Sequence, residues 1–230
     1  MGFDPIGSHA LASLLALALF TLVWLGLVKN IRSIARRGRH PPSFHPVLNA
    51  AHLGRFAGWA LLGAATFRAD PWTGAMLIAT RAPAVLLVIV TFLQRRVLRP
   101  SPGLLARWLL PTAAGLFAAC AGLIAFPAPA AGVRALEGLV AVCFAVLALY
   151  ALPLQLWHAR RKPLGNLRWF QLALLANYGC MLFYALWVRE ERVQLLMRLA
   201  YGVVFVEQGL LVLLIERAVH ARRETPLGPS

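Results

Sequence analysis

Seven apolar stretches, each about 19 to 23 residues long, alternate along this chain with polar gaps. A helix of that length spans a hydrocarbon core ~30 Å thick at ~1.5 Å rise per residue. The stretches run from Ala10 to Val28, Val47 to Phe67, Trp72 to Phe92, Trp108 to Phe126, Gly138 to Trp157, Trp169 to Val188 and Val193 to Ile215. They are too long to be the ~10-residue alternating strands of a membrane barrel. The expected fold class is therefore all-α, a polytopic membrane protein with seven transmembrane helices. Composition agrees: 60% hydrophobic residues, 13% charged residues and a mean hydropathy of +0.70 leave too little polar material to cover a soluble domain.

The gaps differ in charge. Sixteen of the 23 Lys and Arg residues sit in alternate gaps or the tail: Lys29, Arg32, Arg36, Arg37 and Arg39; Arg95, Arg96, Arg99 and Arg107; Arg160, Arg161, Lys162 and Arg168; then Arg217, Arg222 and Arg223. The other gaps hold only Arg68, Arg134, Arg189 and Arg192. By the positive-inside rule the N-terminus is outside and the C-terminus cytoplasmic. A net charge of +15 would suggest nucleic acid in a soluble chain. Here the cytoplasmic loops account for it, facing anionic lipid headgroups, and no nucleic-acid partner is expected. The first stretch has no basic residues ahead of it and Lys29 behind it, the pattern of a retained span and not of a cleaved signal. The expected location is a bacterial cytoplasmic (inner) membrane. Cys120, Cys143 and Cys180 lie inside apolar stretches, are odd in number and lack ligand spacing. They read as packing residues, with no disulfide, metal or cofactor implied.

Loop lengths divide the chain. A long basic loop and then a short turn separate the first three spans, and the last three repeat that order. The fourth span carries no ionisable group and reads as a connector, which gives a three, one, three arrangement: residues 1–95, 96–132 and 133–230. A single connecting span gives both triplets the same orientation, and parallel halves of this kind hold substrate near the midplane between them. Direct likeness between the halves is weak, at best Phe56 to Gly63 against Tyr178 to Ala185.

Helical phase singles out residues. At ~100° per residue Asn49, His52, Arg55, Trp59 and Thr66 fall within an arc of roughly 120°, with Gly54 and Gly58 opposite. The glycines predict close helix packing and leave the polar stripe for another purpose. Asn177, Tyr178, Met181 and Tyr184 share a face of span six, and Thr73, Thr80, Thr91 and Arg81 line span three. Arg55 and Glu207 each lie about 12 Å from the inner ends of their spans, and Arg81 lies near mid-span. A charge at such depth costs at least ~2.5 to 3.5 kcal/mol and needs a partner or a wet cavity. Two accounts are open: a structural ion pair between Glu207 and an arginine, or a substrate pathway in which the surplus positive charge meets an anionic group. In the second, Glu207 titrates if its partner leaves during transport. His52 reads as a hydrogen-bonded histidine or a proton relay.

Toward the cytoplasmic end of span five the chain reads Leu152-Pro153-Leu154-Gln155-Leu156. A basic loop with Lys162 follows, then Asn166-Leu167, then a span ending Phe183-Tyr184-Ala185-Leu186. This resembles the PQ-loop superfamily, which includes the SWEET and SemiSWEET sugar carriers, over roughly Gly138 to Ile215. The resemblance implies a carrier with three-one-three topology, a hinge at Pro153 and Gln155, and a pocket lined by Trp59, Asn177 and Tyr184. Departures are Leu154 between Pro153 and Gln155, Ala185 where the family has glycine, and no proline at the end of span one. Pro153 also acts physically, since it withholds a hydrogen bond from the carbonyl of Leu149.

The expected function is a small carrier of a polar or anionic metabolite, with Arg55, Arg81, Glu207, His52, Trp59, Asn177 and Tyr184 at the substrate and Pro153 and Gln155 gating. Alternatives are a seven-helix ligand sensor, a membrane enzyme or haem protein using His45, His158 and His52, and an accessory subunit of a larger membrane complex or a homo-oligomer. A retinal protein is excluded, because Lys29 and Lys162, the only lysines, lie in loops. Glu190 and Glu191 read as solvated surface charge.

Overall fold

Proline opens four of the helices, at the position where its missing N–H costs nothing and its fixed φ suits a helix. The computed structural model describes residues 5–37, 46–151, 153–154, 168–188 and 191–224. Its helices are α1 (Pro5–Arg37), α2 (Pro46–Thr66), α3 (Pro71–Arg96), α4 (Pro102–Ala125), α5 (Ala130–Val146), α6 (Arg168–Tyr184) and α7 (Glu191–Glu224). Among the described residues there is no strand. Two helix starts carry side-chain caps: Thr73 N–H donates to Asp70 Oδ1 at 3.1 Å, and Leu104 N–H to Ser101 Oγ at 3.3 Å.

Several ends differ from the apolar boundaries. The fourth helix begins at Pro102 and not at Trp108, because Ser101 and Pro102 supply a start that hydropathy does not register. The fifth begins at Ala130, and a π-helical turn, Leu147–Ala151, follows its α-helical part. That widened turn lies where Pro153 has no N–H to give Leu149. The sixth ends at Tyr184, with a turn over residues 185–187.

Among the described residues five helices are both long and apolar enough to cross a membrane: α1, α3, α4, α5 with its π turn, and α7. The sequence pattern predicts seven. Among the described residues α2 falls short in apolar content, diluted by Asn49, His52 and Arg55, and α6 falls short in length, with 17 residues. The outward surface is greasy: Phe117, Leu110, Leu149 and Leu11 are among many large apolar side chains more than half exposed. A surface of that kind belongs in lipid. The protein is an integral membrane protein.

Inside the bundle α2 packs on α3, α4 and α5; α1 on α3 and α6; α7 on α5 and α6; and α4 also touches α3. Glycine sets the closest approaches. A Cβ on Gly54 would lie 2.6 Å from Cys143 Sγ, and one on Gly58 2.8 Å from Val140 Cγ2, so the glycine face of α2 lies against α5. A Cβ on Gly74 would lie 2.7 Å from the carbonyl oxygen of Gly63, where α3 meets α2. α4 buries only Cys120. Its end is held by Arg68, whose Nε and Nη2 donate to the carbonyls of Ile124 (2.9 Å) and Ala125 (2.6 Å).

Candidate functional site

The polar stripe of α2 turns away from its glycines and meets a buried cluster to which every helix except α4 contributes. Arg81 of α3 is 1% exposed. Its Nη2 donates to the Tyr201 hydroxyl of α7 at 2.8 Å, and its Cζ lies 3.9 Å from the ring centroid of Phe20 on α1. Arg55 of α2 is 3% exposed and donates from Nη1 to the Tyr178 hydroxyl of α6 at 3.3 Å. Its Cζ lies 4.6 Å from the Phe56 ring and 5.2 Å from that of Phe144 on α5. Trp59 stacks on Tyr201 at 5.9 Å and 15°, and Phe144 meets Tyr201 edge-on at 5.2 Å and 77°. The Tyr178 and Tyr201 rings are 6.2 Å apart.

Aromatic faces compensate these charges only in part. A desolvated cation–π contact is worth about 2 kcal/mol, and burying each charge at this depth costs at least ~2.5 to 3.5 kcal/mol. Among the described residues neither guanidinium forms an ion pair; the pair within 4.0 Å is His9 with Asp70, elsewhere. Arg55 Nε, Arg81 Nε, Trp59 Nε1 and Asn49 Nδ2 are buried with no acceptor among the described residues. Buried donors without an acceptor favour oxygen acceptors, and guanidiniums favour anionic ones.

Comparison of the chain with protein-family models, characterised proteins and solved structures returns no match. Its chemistry is therefore read from its own side chains. Arg55, Arg81 and Trp59 come together as described. Glu207, expected with them, does not join. It lies six positions beyond Tyr201, ~9 Å farther along α7 and about 120° around it. It is partly buried, and its Oε2 has no partner among the described residues. The ion pair between Glu207 and Arg55 or Arg81, one of the two accounts open from the sequence, is absent among the described residues: Arg81 meets Tyr201 on α7, and Arg55 meets Tyr178 on α6. His52 stacks on Phe56 at 5.8 Å and 15°, and its Nδ1 has no partner among the described residues. Asn177 is buried with its Oδ1 unpartnered among the described residues. Pro153 is exposed, while Gln155, His45 and His158 lie outside the described residues. Arg198 is exposed. No group of three or more His, Cys, Asp or Glu residues among those described is placed to hold a metal ion.

Tyr184, expected beside Trp59, stands in a second cluster where α1, α3 and α6 meet. Its hydroxyl lies 3.0 Å from His9 Nε2, 3.0 Å from Ser13 Oγ and 3.2 Å from Thr73 Oγ1. Ser13 donates its own proton to the His9 carbonyl at 2.9 Å, and Thr73 gives its proton to Asp70 Oδ2 at 2.7 Å. Tyr184 has one proton for two hydroxyl neighbours, so the arrangement is best satisfied with His9 donating from Nε2. Replacing Tyr184 with Phe removes one hydrogen-bond neighbour from each of three buried groups, His9, Ser13 and Thr73. The expected result is a loss of about 1 to 3 kcal/mol, read as a lower melting temperature of the purified protein in detergent. An unchanged melt would show that the cluster holds nothing together.

Tyr201, Phe144 and Phe20 escape a search based on apolar runs and polar phase. The signal that finds most of the cluster is depth. Counted from the span ends on the side of the α2–α3 turn, Phe20, Trp59, Arg81, Tyr178 and Tyr201 all fall roughly 12 to 15 Å in.

Proposed function

We propose that this protein is a small alternating-access carrier of an organic anion, bound between Arg55 and Arg81. The observation that supports it is the pair of deeply buried guanidiniums with aromatic and phenolic neighbours and no carboxylate counter-ion among the described residues. Both arginines, Trp59 and Phe20 come from α1 to α3, and Tyr178, Tyr201 and Phe144 from α5 to α7. On this reading those two triplets are the moving halves, α4 is the connector, and the chain is organised as PQ-loop carriers are, with the N-terminus outside. Pro153 acts at the hinge.

The tyrosines supply a means of coupling. Each arginine spends an N–H on a phenol of the opposite triplet. An incoming carboxylate or phosphate accepts a charge-assisted bond, roughly twice as strong as a neutral one, and competes for those N–H groups. Binding thereby loosens the contacts that hold the triplets together, and the ligand's affinity for the loosened state drives the change.

The test is reconstitution into liposomes and uptake of labelled small anions: pyruvate, succinate and a phosphate ester, with glucose as the neutral control. Saturable uptake of an anion, and none of glucose, is expected. Uptake of glucose alone refutes the anion class, and uptake of no solute by correctly folded protein refutes the carrier reading.

A further inference from the structure

The cluster carries two positive charges, and no described carboxylate pairs with either. We propose that its ligand is a divalent oxyanion, a dicarboxylate or a phosphate or sulfate group, one molecule spanning both guanidiniums. This rests on the carrier reading and narrows its substrate class.

Three features lead there. First, the two guanidiniums belong to one site: each is tied to a phenol, and the two phenol rings are 6.2 Å apart. Second, both keep donors in hand, for each makes one hydrogen bond to a described side chain and the Nε of each is buried without an acceptor among the described residues. Third, charge must balance in a region of low dielectric. A monoanion leaves the pair of guanidiniums with one uncompensated positive charge, whereas a dianion cancels both. The planar fork of each arginine suits a carboxylate or phosphate edge. Trp59 Nε1, buried beside Tyr201 with no acceptor among the described residues, adds a neutral donor for a third oxygen.

Succinate and butyrate have the same carbon count and differ by one charge, and sulfate is a compact dianion. Titration calorimetry of the full chain in nanodiscs, at pH 7.5 and fixed ionic strength, compares the three. Succinate or sulfate is expected to bind at least tenfold more tightly than butyrate, and the better of the two tells a dicarboxylate from a compact tetrahedral group. Arg55→Gln is expected to bring that preference close to one, because a single remaining charge is matched by one carboxylate. Arg81→Gln is the parallel variant and reads the same quantity if Arg55→Gln does not fold. Equal binding of butyrate and succinate by the unaltered chain overturns the divalent class and leaves the anion carrier standing. A preference that survives in both variants also overturns it. Failure of all three probes to bind, together with no anion uptake into liposomes, refutes the carrier reading itself.

Discussion

Arg81→Gln is expected to lower anion uptake by roughly 30-fold or more while the protein stays at least as stable as before. The first half follows from the loss of one buried charge partner, a change that costs 2 kcal/mol or more of binding at about 1.4 kcal/mol per tenfold. The second half follows from the same burial seen without ligand. Arg81 is 1% exposed, has the Phe20 face and the Tyr201 hydroxyl as its partners, and shares its cluster with a like-charged Arg55. Glutamine removes the charge; its amide ends near the place of Nε, so the bond from Nη2 to Tyr201 is lost, and relief of a burial cost of at least ~2.5 to 3.5 kcal/mol offsets that loss. Initial uptake rates in liposomes and the melting temperature of the same preparations check both halves. If uptake and melting temperature fall together, Arg81 is a structural group and the carrier reading loses its strongest support.

The second large effect concerns packing. Gly74→Leu is expected to destabilise the bundle by about 3 kcal/mol or more, near the upper end for overpacking. A Cβ there would lie 2.7 Å from the Gly63 carbonyl oxygen and 2.8 Å from Phe67 Cα, and neither is a side chain that can rotate aside. Gly115→Leu on α4 is the control, because nothing lies within 4 Å of the position a Cβ would take. Yield of monodisperse protein and its thermal melt should collapse for Gly74→Leu and stay level for Gly115→Leu. Equal behaviour would mean that α2 and α3 do not approach as closely as described.

Helical class and membrane character were legible in the sequence because both depend on local quantities, the length and greasiness of each run. The packing face of α2 was legible for the same reason: Gly54 and Gly58 share one side, and that side meets Cys143 and Val140 of α5. Glu207 was misjudged because depth alone does not place a side chain. Arg55 and Glu207 are equally far from the inner ends of their spans, yet Arg55 turns to Tyr178 on α6 and the α7 residue that meets Arg81 is Tyr201. Tyr184 is placed beside Trp59 and Asn177 by the family resemblance, yet it stands six positions beyond Tyr178. That separation is ~9 Å along the axis, enough to put one hydroxyl with Arg55 and the other with His9, Ser13 and Thr73. The partners of Tyr184 lie 111 to 175 positions away in the chain, so their meeting depends on tertiary packing that no local pattern records.

The knot of hydroxyls, imidazole and carboxylate around Tyr184 is a different kind of closure from an oily plug. Leucines parted in water expose surface that the solvent rejects, in proportion to its area. Phenol, hydroxyl and imidazole groups parted in water trade one hydrogen bond for another, so the net change per bond is only about 1 kcal/mol. On α1 the buried apolar residues of that core are Ala12 and Ala16, small side chains with little area to expose. On the carrier proposal, a seam closed this way holds firm while dry and yields to the first water molecules that reach it.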